Sequence, residues 1–438
     1  MNNITTIFSN NLKSLCSNSD IERHYYDAKL CLLDYLACLV GGEGYYQQKL
    51  SIQGIGESIQ TDALKYGLYS HVLELDDGHR RGAVHVGATV FSALLSVAEK
   101  ENLTSRDFLL GAIVGYEATV KLACAVQPGC RKRGYHATGT CGTVGAALGV
   151  AAALHYNEEQ MKTTLSAAVA GAAGVLEMQE DGSDLKPYNV GRAAMDAVVA
   201  AMIGKAGLKG PKDAIGGKRG FLKVMTDDPH TEYLTDFNSE TLCIEQIYQK
   251  VYAACRHAHP AIEAAQKIKP QIKISEIEKI EVLTYLQAIE GHNYVEIPTV
   301  SAAKMSIPFS VAVALATGSA DMKAFSIENV ANKTILDLTK KVEVKEDADL
   351  TALNPQKRAA IVVVHTKDGD YSQRVDYPKG EPENPLSKEE LENKFRGLAM
   401  YGGLTSEECD AVIAEIWKED FSLEEMMKVV CKYPLKKV

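Results

Sequence analysis

HVLELDDGHRRGAVHVG, residues 71–87, is a polar, titratable stretch set between two apolar helical patterns. Its 17 residues carry three histidines, two arginines, three acidic side chains and three glycines. Upstream, Leu64, Leu68, Val72 and Leu75 recur at helical spacing, which predicts a helix from about Thr61 to Leu75. From Asp76 that period is lost, and Gly78, Gly82 and Gly87 free the backbone for a tight turn. Beyond Gly87, ATVFSALLSVAEK resumes the helix. Asp and Gly at a helix end are also ordinary turn chemistry. Taken together, though, the charged groups are a poor way to build a core and a good way to hold acid and base groups at its edge.

Two further loops repeat the theme. QPGCRKRGYHATGTCG, residues 127–142, carries Arg131, Arg133, Tyr135 and His136 and leads into a helix from Thr143. QEDGSDLKPYNVGRAAMD, residues 179–196, carries Lys186 and Arg192 and leads into AAMDAVVAAMIGKAGL. The helices between them are built of Ala, Gly, Val and Leu, whose small side chains allow close approach, so they predict the buried centre of a helical domain. Thr104 and Asp107 predict a capped start for a long apolar helix, and Ser387 and Glu390 do the same near the C-terminus. The loop spacings differ, which excludes a fixed-period solenoid.

From about residue 265 the composition changes. Ile280, Val282 and Thr284 alternate as in a strand, MSIPFSVAVALATG reads as an apolar helix, and KRAAIVVVHTKDGDYSQRVDY reads as a hairpin turning at Asp368-Gly369. The expected fold is mainly α. From the residues alone it would comprise a large helical domain, a smaller α+β domain and a return to helix at the C-terminal end.

A chain of 438 residues with 46% hydrophobic and 24% charged side chains is long enough for two such domains. A net charge of −10 argues against nucleic acid, while a local Arg/Lys cluster can still favour an acidic small molecule. Ten scattered cysteines without a CxxC pair suggest reduced thiols. The N-terminus lacks a signal-peptide pattern, and the apolar runs near residues 144–154 and 167–176 are too short to span a bilayer. The expectation is a cytoplasmic protein without a membrane or nucleic-acid partner.

The chemistry of the loops points the same way. His85, His136, Tyr135, Lys186 and Arg81 around one cleft would suit proton transfer beside a carboxylate, the cations stabilising enolate charge. KVYAACRHAHPAI, residues 250–262, adds Lys250, Tyr252, Cys255, His257 and His259 near the expected domain boundary. Asp76, Asp77, His79, His85 and His259 are possible metal ligands, but no H-x-x-x-H or H-E-x-x-H pattern accompanies them, so no metal is expected. Cys255 and Cys141 lack a base at fixed spacing to make them nucleophiles. No phosphate-binding loop is present, and GTCGTVG does not follow a strand, so no nucleotide cofactor is expected.

H-V-L-E-L-D-D with A-V-H-V-G, then R-G-Y-H-A-T-G, K-P-Y-N-V-G-R-A-A, K-V-Y-A-A-C-R-H-A-H, S-I-P-F-S-V-A and N-P-L-S, resemble in that order the MmgE/PrpD family. The resemblance spans about residues 5–435. It includes 2-methylcitrate dehydratase, cis-aconitate decarboxylase and iminodisuccinate epimerase. It implies a large all-helical domain, residues 1–262 plus 386–438, with a smaller α+β lid, residues 263–385, inserted before the C-terminal helices, and a metal-free homodimer acting on small di- or tricarboxylates. By motif it assigns catalysis and substrate contact to His85, His136 and Lys186, with Tyr135 assisting. Glu74, Asp76, Asp77, His79, Arg81, Arg192, Cys255 and His259 complete the expected substrate-binding set.

Several positions depart from that pattern. Glu74 stands where the dehydratase and decarboxylase members have aspartate, and Gly78 where they have threonine. The loop to His85 is one residue longer. Cys255 replaces a histidine of the decarboxylase, and Phe309 a tyrosine. The expected activity is that of a cofactor-free lyase, first a 2-methylcitrate dehydratase-like hydro-lyase. An iminodisuccinate-type epimerase, a cis-aconitate decarboxylase-like enzyme and a non-catalytic carboxylate-binding protein are the alternatives, with metal-dependent hydrolysis a further one.

Overall fold

The computed structural model describes residues 3–49, 58–179, 183–237 and 240–431. It is mainly α with one small sheet, and it divides into two compact units. The first comprises Met1–Glu177, Leu185–Tyr248 and Ser387–Val438, the second Met178–Asp184 and Gln249–Leu386. The second unit thus starts upstream of residue 263, where the composition changes.

Numbering the longer helices along the chain, the first unit opens with α1 (Ile4–Leu15), α2 (Tyr25–Lys49), α3 (Ile59–Val72), α4 (Gly87–Ala98) and α5 (Ser105–Val126). It continues with α6 (Ala137–Ala153), α7 (Glu158–Gly171) and α8 (Lys186–Lys205). At the start of α5 the Thr104 hydroxyl accepts from the Asp107 N–H, and Asp107 accepts in return from the Thr104 N–H. Unlike the shorter apolar runs near residues 144–154 and 167–176, the 22-residue α5 is long and apolar enough to cross a membrane, by length and composition. Here it lies almost wholly buried among its neighbours.

Glycine sets how close those neighbours come. A Cβ at Gly149 of α6 would lie 2.7 Å from the Gly111 carbonyl of α5, and one at Gly145 would lie 2.7 Å from the Thr119 backbone nitrogen. Every residue of α6 is buried, so the helix has no solvent face. In the same way a Cβ at Gly67 of α3 would fall 2.6 Å from Gly191 Cα of α8. Glu74 lies beyond the last turn of α3 and Lys186 begins α8, so this crossing brings them to one end of the pair, where they form an ion pair.

In the second unit α9 (His259–Ile268) is followed by β1 (Ile277–Thr284), α10 (Ile307–Thr317), β2 (Val342–Glu346), β3 (Ala360–Thr366) and β4 (Gly369–Val375). The sheet order is β2-β1-β3-β4, with β1 parallel to β2 and antiparallel to β3. Alternate residues of β3 are buried, and α9 packs on β3, β4 and α10. The expected hairpin is β3–β4, turning at Gly369 with φ 138°.

The chain then returns to the first unit through α11 (Lys388–Tyr401), α12 (Ser406–Ile416) and α13 (Leu423–Val430). Ser387 and Glu390 form the expected capping box. Helix α11 packs on α2, and Lys394 Nζ donates to Asp34 Oδ1 at 2.6 Å and to the Leu75 carbonyl at 2.7 Å.

Candidate active site

Of the three loops that looked alike in sequence, the first stays a loop between α3 and α4, and the other two end in helix starts. His136 is the N-cap of α6, which begins at Ala137 rather than Thr143, and Lys186 is the first residue of α8. Thr138, Gly139, Thr140 and Gly142 read as turn residues, yet all four are buried helical positions. A Cβ at Gly139 would lie 2.5 Å from the Ala173 carbonyl, and one at Gly142 3.0 Å from the Thr89 side chain. These glycines serve close packing, and the packing overrides their local preference.

His71, Glu74, Asp76, Asp77, His85, His136 and Lys186 form one cluster in the first unit. The His71 Nδ1 lies 2.8 Å from Asp76 Oδ2, and His85 Nδ1 lies 3.1 Å from the same oxygen and 2.9 Å from the Asp77 carbonyl. A carbonyl only accepts, so His85 Nδ1 carries the proton, and in the neutral ring Nε2 is then the basic nitrogen. Burial alone would raise the Asp76 carboxyl, but the facing His71 and His85 imidazoles hold it well below the usual carboxylate range. The ionised carboxylate therefore fixes both rings.

The rings of His71 and His85 meet edge to face at 4.6 Å, and His136 stands 6.4 Å from His71. Burial, with Lys186 and the other two histidines adding to it, holds His136 well below its ordinary value. His136 is thus neutral near pH 7, and its Nδ1 is buried without a hydrogen-bond partner among the described residues. Glu74 sits in the left-handed region at φ 57° and directs its carboxylate onto Lys186, with His71 Nε2 3.9 Å away.

Asp77 behaves differently from its neighbour. Its Oδ1 accepts from the Val86 and Gly87 N–H groups at the start of α4, at 3.2 and 2.8 Å, and Tyr116 donates to Oδ2 at 2.5 Å. Burial, and then the charge of Asp34, push its carboxyl up to about 7. This is the anchor of the loop, and it presents no atom to a ligand through these bonds.

In the second unit a separate set gathers on residues 255–257. Cys255 Sγ lies 3.7 Å from His292 Nε2, and His292 Nδ1 lies 3.1 Å from the Met305 carbonyl. His257 Nδ1 is 2.6 Å from the Tyr285 hydroxyl, and its ring stacks on His292 at 5.2 Å. Arg256 is buried against Glu381.

Models of two domains match nearly the whole chain: an MmgE/PrpD N-terminal domain over residues 11–234 and an MmgE/PrpD C-terminal domain over residues 252–419. The chain belongs to the MmgE/PrpD family. Curated relatives include the cis-aconitate decarboxylase of Mus musculus, 25% identical over 353 residues, covering 76% of this chain and 70% of that protein. The cis-aconitate decarboxylase of Homo sapiens is 24% identical over 347 residues, covering 76% of this chain and 71% of that protein.

Within this MmgE/PrpD chain the expected site residues divide. His85, His136, Lys186, Glu74 and Asp76 come together, with Asp77 behind them. Tyr135 pairs by backbone with Val175 and is half-buried. His79 Nδ1 accepts from the Gly82 N–H at 3.1 Å, which makes it a brace of its own turn. Arg81 is exposed, donates to the Tyr233 hydroxyl and lines a cavity of about 530 Å³ with Glu117, Lys121 and Glu232. Arg192 is spent on Asp196 at 2.5 Å and on the Gly171 and Ala173 carbonyls, tying α8 to the end of α7. Cys255 and His259 belong to the second unit. His259 is fully buried, its Nε2 donating to the Ala254 carbonyl and its ring edge-on to Tyr252.

His71 was not among the expected site residues, since it fits the helical pattern of α3. Only its spacing of five residues before Asp76, at the point where the helix ends, hints at the pair. Tyr116, on the buried α5, and Thr138, whose hydroxyl accepts from the His85 N–H at 3.1 Å, left no local signal.

Proposed function

We propose that this chain is a lyase that removes or returns a proton at the carbon next to a carboxylate of a small di- or tricarboxylate, as a hydro-lyase of the 2-methylcitrate dehydratase type. The observation that carries the reading is the single Asp76 oxygen shared by His71 and His85. It fixes the Nδ1-protonated tautomer, so that His85 can take a proton through Nε2. His136, held neutral by burial, is the second proton carrier. Lys186 is the cation for a substrate carboxylate, which would share or displace Glu74. The starts of α6 and α8 carry no side-chain cap from their own N-cap residues, and their N–H groups favour the same negative charge. The resulting enolate then forms the double bond as the β-hydroxyl leaves, taking the proton held on His85 Nε2 to depart as water.

Proton abstraction of this kind draws on imidazole and carboxylate alone. The proposal includes work without a cofactor and, from composition and the family resemblance rather than from the site, a cytoplasmic homodimer. The two relatives named as cis-aconitate decarboxylases favour a second reading, decarboxylation of a tricarboxylate, against which stand Cys255 and Phe309 at departing positions. Epimerisation would share the first step and release nothing.

The test is proton exchange in D2O, with citrate-type and aspartate-type acids followed by NMR. Deuterium should enter beside a carboxylate with the wild type, persist after EDTA treatment, and fall by about 100- to 10,000-fold in His85→Ala or His136→Ala. Loss of water identifies the hydro-lyase, CO2 release the decarboxylase, and exchange alone the epimerase. Tight binding of such an acid with no exchange in any case would sink the enzymatic reading.

A further inference from the structure

We infer that Cys255, His257 and His292 form a site for a divalent transition-metal ion, zinc by its donor chemistry. One donor atom from each of the three lies within 4.8 Å of the others. A tetrahedral zinc with a Zn–S bond of about 2.3 Å and a Zn–N bond of about 2.05 Å separates its sulfur and nitrogen by about 3.6 Å. The Cys255 Sγ to His292 Nε2 distance is 3.7 Å. That edge of the tetrahedron is already in place.

The surroundings set the rings as a metal site requires. His292 Nδ1–H donates to the Met305 carbonyl, which leaves the lone pair on Nε2, the nitrogen that faces the sulfur. His257 Nδ1 lies 2.6 Å from the Tyr285 hydroxyl, and a proton donated from Nδ1 to that oxygen leaves the Nε2 lone pair for a metal. The backbone pins the third donor, since the Cys255 N–H donates to the Lys304 carbonyl at 2.8 Å.

A thiolate with two imidazoles selects zinc, cobalt or copper over magnesium or calcium, which prefer oxygen. Three protein donors leave a fourth position. Cys255 and His257 are partly exposed, so that position is open to water or to an anionic ligand. Binding replaces the thiol proton by the metal and releases that proton to solvent. The other trio of this kind, His71, Asp76 and His85, differs in an instructive way. There the His85 Nδ1 proton is committed to a carbonyl and the shared carboxylate oxygen already holds the rings at hydrogen-bond distance.

The test uses untagged full-length protein, stripped with EDTA and titrated with cobalt chloride. One equivalent should produce a thiolate-to-cobalt charge-transfer band in the near ultraviolet, displaced by one equivalent of zinc. Cys255→Ser should abolish the band, and His257→Gln or His292→Gln should weaken binding by at least about 100-fold, with far-ultraviolet circular dichroism confirming the fold. A readout on the wild type alone guards against misfolded variants: zinc should protect Cys255 from iodoacetamide while Cys16 and Cys431, also partly exposed, react as before. Absence of the band, its persistence in Cys255→Ser, or unchanged alkylation of Cys255 would overturn the assignment. None of these readouts depends on turnover, so they stand or fall apart from the proton chemistry at His85 and His136.

Discussion

Asp77 and His136 pull stability in opposite directions over the same pH range. The folded Asp77 carboxyl, pushed up to about 7, binds its proton where the unfolded side chain does not, so this group stabilises the fold increasingly as pH falls from 7 towards 4. His136 is held below its ordinary value, so the unfolded state takes up the extra proton, and its contribution is lost as pH falls below about 6.5. Each slope approaches about 1.4 kcal/mol per pH unit, and the two offset each other. Asp77→Asn keeps the shape and the Oδ1 bonds to α4 while removing the Asp77 titration. Denaturant melts at several pH values should show the variant losing stability relative to wild type as pH falls from 7 to about 4. Parallel curves would refute the assignment. Asp76 acts only lower, where protonation towards its depressed folded pKa removes its bonds to His71 and His85. Sequence could name His85, His136 and Lys186, because histidine and lysine in glycine-rich loops carry their own signal. It could not name Tyr116, which is 39 residues from its partner Asp77 in an apolar helix.

At the scale of elements, the helices meet through glycine, and two glycines separate packing from propensity. Gly145 faces the Thr119 backbone of α5, whereas nothing lies within 4 Å of a Cβ at Gly397 on the exposed side of α11. Gly145→Ala should therefore destabilise by about 1–3 kcal/mol or more, and Gly397→Ala should stabilise by roughly 0.5–1 kcal/mol. Thermal melts of the two variants check this, and equal effects would mean that the α5–α6 approach is looser than described. Capping boxes at Thr104 and Ser387 and the β3–β4 hairpin were legible because a few neighbouring residues specify them. The starts of α6 and α8 were not, since Gly139, Gly142 and the Lys186-Pro187 pair look locally like turn signals. Their helical state rests on packing from distant segments.

At the scale of the molecule, the helical unit is discontinuous, and Lys394 ties its last segment to its first. The ammonium sits between Asp34 of α2 and the carbonyl of Leu75, which precedes Asp76 in the cluster. Lys394→Met should cost about 3–5 kcal/mol by leaving the buried Asp34 without that cation, and adding Asp34→Asn should recover much of the loss. Urea melts of the single and double variants measure it, and additivity would refute the coupling. After the sheet, sequence shows a helical stretch opened by the Ser387/Glu390 cap, and its return to the first unit could be read only through the family resemblance. Which helix it covers could not be read, because that depends on an ion pair spanning 360 residues.

Protein synthesis runs in one direction, and this pairing spans most of it. The Leu75 carbonyl must wait for a residue 319 positions later. At bacterial or eukaryotic elongation rates of about 5–20 residues per second, that is roughly 16–64 s on the ribosome. Throughout that interval α2 has emerged without α11, and its partner-facing side is available to chaperones. A message cut short anywhere before the codon for Ser387 yields a chain whose first unit lacks its last segment. The architecture thus makes synthesis through Lys394 a condition of bracing Leu75, the residue before Asp76, against α2.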